Sequence, residues 1–147
     1  MKEKKNLLKT IALVVITVIA GNIGPRLFNI ITKKPLNNSN TLKGRVMIMN
    51  KDCPFVIDEN TRLDSVTLLG KNIVQHNYTL LNDRLTDIDI DGFKSIMKPE
   101  IIRHLKSKTE TDFFRDKNTT LMYKYFDKEK QFLTDISILP KDYLLKK

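Results

Sequence analysis

Apolar and polar positions divide the chain into a membrane-like beginning, two alternating stretches and a helical middle. Near the start, Lys2, Lys4 and Lys5 precede an apolar run from Ile11 to Ala20. That is the order of a positive region followed by a hydrophobic targeting core. The run alone is shorter than the ~20 residues a spanning helix needs. It extends forward to Pro25 and Arg26, and backward to Leu7 and Leu8 with Lys9 reaching the head groups. The amphipathic stretch from Arg26 to Lys34 then lies in the interface or continues the helix.

Two outcomes follow. Residues 1–35 stay as an uncleaved signal-anchor and juxtamembrane stretch, or a signal peptidase cuts after Ala20. The anchor is preferred, because Val18 is not an ideal cleavage-site residue. A core helix of a soluble domain would carry a polar face over this length and seldom begins with a lysine cluster. The lysines hold the N-terminus in the cytoplasm and send everything after residue 35 outward, although Lys33 and Lys34 oppose this orientation.

Residues 36–41, rich in Asn and Ser, read as a linker, and 42–147 as the exported folded domain. Leu42, Val46 and Met49 recur at helical spacing behind Asn40 and Thr41, either of which can cap a helix over 41–50. Cys53-Pro54 ends it. Asp64 to Leu81 reads as a hairpin closed by Gly70, Lys71 and Asn72. That loop sets Leu68 opposite Val74, Val66 opposite His76 and Asp64 opposite Tyr78, and Gly70 or Asn72 supplies the positive φ.

A second hairpin joins Thr120–Phe126 to Gln131–Leu139 through the polar loop 127–130. Pairing Phe126 with Gln131 sets Tyr125 opposite Phe132, Tyr123 opposite Thr134 and Leu121 opposite Ile136. Its second face, with Met122, Lys124, Leu133 and Asp135, is mixed and predicts partial solvent exposure. Between the hairpins Phe93, Ile96, Met97, Ile101 and Leu105 follow helical spacing. Pro99 predicts a break between two short helices, and Thr109 to Asp112 a cap for a third. The order predicts an α+β domain: an antiparallel sheet of about four strands with helices packed on one face.

Composition fits one such domain. The chain has 147 residues, 41% hydrophobic and 29% charged, with one Cys and five Gly. These values argue against wholesale disorder and exclude an internal disulfide. The net charge of +9 invites a nucleic-acid reading. However, the first 35 residues hold seven basic residues and one acid, and the rest mixes both signs without a basic aromatic stripe. Nucleic acid is therefore not an expected partner.

Candidate chemistry is sparse. Asp87, Asp89 and Asp91, followed by Gly92, match the opening of a calcium loop, with Ser95 at its ninth position. The twelfth position needs a bidentate Glu and is Lys98. The alternative puts Ile88 and Ile90 inward and makes Asp91 the cap of a helix starting near Phe93. Cys53 has no histidine near it in sequence and reads as a small buried hydrophobe. His76 lies on an apolar face and reads as a hydrogen-bonded core residue, and with His104 it makes no metal-spaced pair. No catalytic, cofactor-binding or metal-ligating residue is assigned.

The series Cys53-Pro-Phe-Val-Ile-Asp58, Thr61-Arg-Leu-Asp64, His76-Asn-Tyr-Thr-Leu80, Lys98-Pro-Glu-Ile-Ile102 and Leu121-Met-Tyr-Lys-Tyr125 resembles a set of small bacterial envelope proteins. The likeness spans about residues 50–142. It implies an N-terminal membrane segment and one exported α+β domain, and it carries no established enzymatic activity with it. Members often carry a Cys in the middle helix and another after the last strand. This chain has Lys106 and Asp142 or Tyr143 there, so no disulfide carries over.

The expected function is a membrane-anchored binding module facing the periplasm or cell surface, an accessory or assembly component of an envelope complex. Its expected partners are the lipid bilayer, through the N-terminal helix, and another envelope protein. A secreted hydrolase or toxin-like factor released after Ala20 is the alternative, and a calcium-responsive module a third reading.

Overall fold

The computed structural model describes residues 40–107 and 111–144. The predicted anchor over 1–35 and most of the linker lie outside the described residues. Among those described, no helix is long and apolar enough to cross a membrane.

The first helix, α1 (Leu42–Asn50), starts as its sequence directs. Thr41 is extended, and its hydroxyl accepts the Gly44 N–H at 3.0 Å, which satisfies one of the free donors of the first turn. Leu42, Val46 and Met49 are its buried face. Five strands follow: β1 (Phe55–Val56), β2 (Thr61–Leu69), β3 (Ile73–Leu80), β4 (Thr120–Phe126) and β5 (Phe132–Ile138). They form one sheet in the order β1-β2-β3-β4-β5.

The sheet corrects the expectation of four antiparallel strands in two ways. The two-residue β1 adds an edge, and β3 pairs β4 in parallel. The parallel pair follows from the connection. Residues 81–119 carry a 3-10 turn (Leu85–Asp87), α2 (Ile90–Ser107) and α3 (Asp112–Asp116), enough chain to return to the starting end of the sheet. A last short helix, α4 (Pro140–Tyr143), begins at the proline that stops β5.

The β2–β3 hairpin has the expected three-residue loop, with Gly70 at φ 61°. Leu68 faces Val74 and Val66 faces His76. Beyond Ser65 the register departs from expectation: Asp64 is the extra residue of a β-bulge, and Leu63, not Asp64, faces Tyr78. The physical reason is parity. One inserted residue exchanges the two faces, so Leu63 and Thr61 turn inward while Arg62 and Asp64 turn outward.

The β4–β5 register also differs. Phe126 faces Phe132, Tyr125 faces Thr134, Tyr123 faces Ile136 and Leu121 faces Ile138. One residue of the shift comes from a five-residue loop, 127–131, and one from an irregularity beside Tyr125. The loop is held by Asp127, whose carboxylate accepts N–H groups from Glu129 and Gln131 at 2.8 Å and Leu85 at 3.0 Å. Burial alone would raise this carboxyl, but those backbone donors and Arg84 hold it below its ordinary range.

Pro99 does not break the middle helix; α2 is one continuous helix of 18 residues. Pro99 is exposed, so the Ser95 carbonyl left without a helical donor faces water. The predicted cap at Thr109 lies outside the described residues. Helix α3 starts at Asp112, and the Thr111 hydroxyl bonds the Leu105 carbonyl at 3.2 Å.

Phe93, Met97, Ile101 and Leu105 from α2 meet Leu42, Val46 and Met49 from α1 and the inward residues of all four long strands in one core. Helices therefore cover one face of the sheet.

Candidate functional site

The inner face carries an aromatic ladder. Parallel pairing sets His76 beside Tyr123 and Tyr78 beside Tyr125. Their rings stack at 5.2 and 5.4 Å, close to the spacing of adjacent strands. Phe93 closes the stack edge-on to Tyr125 at 5.0 Å. Burial pushes the phenols of Tyr78, Tyr123 and Tyr125 far up, and lowers His76 to about 4 against a modest opposing contribution from the Met122 backbone. His76 is thus a neutral core residue, as expected, although its Nδ1 has no hydrogen-bond partner.

The outer face of the sheet is polar, ordered and partly exposed. Arg62 bonds Asp64 at 2.5 Å, and Asp64 also accepts the Thr79 hydroxyl and lies 3.5 Å from Lys130 Nζ. These partners outweigh burial and lower the Asp64 carboxyl. Beside them Gln75 donates to Asn77 and Asn77 to Ser65, at 2.8 and 3.0 Å. At the hairpin end, Lys124 Nζ stands over the rings of Phe126 and Phe132 at 5.8 and 5.4 Å. Phe132 is 48% exposed. Such a face offers hydrogen-bonding groups, charges of both signs and one exposed aromatic ring.

The structure does not bring Asp87, Asp89 and Asp91 together as one ligand cluster. Among the described residues no group of three His, Cys, Asp or Glu is placed to hold an ion. Helix α2 starts at Ile90, earlier than expected, and Asp89, not Asp91, caps it by accepting the Gly92 N–H at 3.1 Å. Ile88 and Ile90 pack against the core. Burial, then Asp52 and Asp64, raises the Cys53 thiol, and its Sγ lies 3.4 Å from the Met49 carbonyl. Cys53 is half-buried, less enclosed than the buried hydrophobe its sequence setting predicts.

Sequence reasoning missed Asn50. Its amide accepts the Val66 N–H at 2.7 Å and donates to the Val66 carbonyl. It therefore covers the edge of β2 beyond the end of β1. No periodicity marks such a residue; only its place after a helix and before a short strand hints at it.

The family model for "Domain of unknown function (DUF8479)" matches residues 39–134, more than half of the chain. The chain belongs to this family. No curated protein matches it by sequence. Three solved structures share the fold of this family member. A candidate secreted protein from Pseudomonas aeruginosa is 13% identical, with a TM-score of 0.57 over 76% of this chain and 99% of that one. The pilotin EpsS of the Vibrio vulnificus type 2 secretion system is 12% identical, with a TM-score of 0.53 over 69% of this chain and 87% of that one. The type II secretion pilotin AspS from Vibrio cholerae is 9% identical, with a TM-score of 0.50 over 67% and 84%. At these identities the likeness concerns the fold.

Proposed function

We propose that this DUF8479 protein is a membrane-anchored accessory or assembly component of a cell-envelope protein complex. Residues 1–35 form its anchor in the cytoplasmic membrane, 36–41 its linker, and 42–147 a domain displayed on the outer side that binds another envelope protein. The observation that carries this reading is the outer face of the sheet, which no described helix covers and where the exposed ring of Phe132 sits among polar side chains. The fold shared with two pilotins of type II secretion systems supports it. A tether also supports it, because confinement to the membrane raises the effective concentration of a binding domain near membrane partners.

The test is affinity isolation of the full chain from detergent-solubilised membranes. One envelope protein should co-purify at a fixed ratio, and Phe132→Glu combined with Lys124→Glu should abolish its recovery while the variant stays folded. Recovery of no envelope protein overturns the reading. A mature N-terminus at Gly21 in the medium would instead favour the released, secreted form.

A further inference from the structure

The side of α2 that faces away from the sheet is basic along its length. Lys94, Lys98, Arg103 and Lys106 line a shallow groove of about 690 Å³ with Pro99 and Ile102 on its floor, and no carboxylate lines it. Glu100 neutralises Arg103 from the flank. Lys94, Lys98 and Lys106 have no acidic partner among the described residues. Like charges at i, i+4, as in Lys94 and Lys98, weaken a helix slightly, so the helix itself gains nothing from this arrangement.

The end of the groove that carries Arg103 and Lys106 is linked to α1 through α3. In the first turns of α1, the Arg45 guanidinium lies 4.6 Å over the Phe113 ring of α3. Thr111 and Arg115, at the two ends of α3, both bond the Leu105 carbonyl in the last turn of α2. Residues 40 and 41 thus lie about one helical turn before Arg45, whose partner α3 is bonded to the end of α2 that carries Arg103 and Lys106. Fully extended, the linker 36–41 reaches only about 20 Å.

From the charge and this placement, we propose that the outer face of α2 docks on the anionic head groups of the same bilayer that holds residues 1–35. The inference rests on the anchor reading above. An acidic protein surface has similar charge, but the bilayer is the anionic surface that a tether of this length keeps within reach. Each cation near an anionic leaflet raises residence there by about fivefold, an effect that fades over a Debye length of ~8 Å at physiological salt.

The experiment uses the full chain reconstituted in vesicles of phosphatidylcholine alone or with roughly 30 mol% phosphatidylglycerol. Retention after an alkaline wash reports on the anchor by itself. Acylation of each lysine by a water-soluble reagent, read by mass spectrometry, reports on docking. In the anionic vesicles Lys94, Lys98 and Lys106 should be modified at least about fivefold more slowly than in neutral ones, with Lys71 and Lys128 unchanged and the protection lost in high salt. A Lys98→Gln, Lys106→Gln chain should lose the protection of Lys94, and full protection that persists in it overturns the inference. Equal modification in both vesicles, with the chain retained after the wash, overturns the inference and leaves the anchor standing. Loss of the chain in the wash overturns the anchor reading and the inference with it. Protection that needs an added envelope protein and appears in neutral vesicles overturns it in favour of a protein ligand.

Discussion

His76 shows how burial turns an ordinary side chain into a pH-dependent one. Its folded value of about 4 lies below the 6.5 of an exposed imidazole because burial disfavours the charged ring. Between those values the unfolded chain binds more protons than the folded one, so stability rises with pH. The contribution is complete above about pH 6.5 and is lost as pH falls toward 4, a change of about 3 kcal/mol at 1.36 kcal/mol per unit. Urea unfolding of the wild type at pH 7 and pH 4.5 should show about 2.5 kcal/mol of that loss on top of any from carboxylates. His76→Phe keeps an aromatic ring in the stack and should remove the imidazole's share. An unchanged pH dependence in the variant would contradict the assignment.

Asn50 is a second single-residue case. Val66 is 2% exposed, so deleting the amide in Asn50→Ala leaves a buried backbone N–H and C=O with no partner from β1. Each such group costs roughly 1–3 kcal/mol. We expect a loss of about 2–3 kcal/mol in the urea midpoint analysis, with α1 still formed. A loss near that of an exposed Asn→Ala change would show the bond to be dispensable.

At the scale of elements, the start of α2 decides between calcium and capping. The Asp89 carboxylate is committed to the Gly92 N–H, so Asp89→Ala should lower stability by about 1 kcal/mol. That loss should be the same with calcium as with chelator, and calorimetry with calcium should show no binding heat. A calcium-dependent rise in melting temperature that Asp89→Ala abolishes would reinstate the metal reading.

The same scale explains what was legible. Strand and helix placement came from alternation and 3.6-residue spacing, and Thr120–Phe126 was placed correctly at both ends. Registers were legible only near the first turn, where Gly70 specifies the loop. A bulge at Asp64 and the Asp127 carboxylate that closes the second loop leave no periodic trace, because each acts through one residue. Pro99 misled because proline breaks helices most strongly where the lost bond is buried, and here it faces water.

For the whole molecule, the proposed anchor and the two faces make one picture. With α2 against the bilayer, the polar face of the sheet points into the aqueous space where a partner would meet it. Protease added to intact spheroplasts should digest the portion after residue 35 and leave a membrane-embedded N-terminal fragment. Full protection until lysis would reverse the orientation.

The sequence by itself determined that one α+β domain follows a basic, apolar N-terminal stretch, because hydrophobic periodicity and charge clusters are local properties that need no fold to be read. Tertiary structure alone decided that β3 and β4 run parallel, that His76 stacks in a tyrosine ladder, and that one side of α2 gathers four cations while the described helices leave the other face of the sheet uncovered. Those facts depend on which segments meet, and pairing between distant segments is chosen by the packing of the whole core rather than by any one of them.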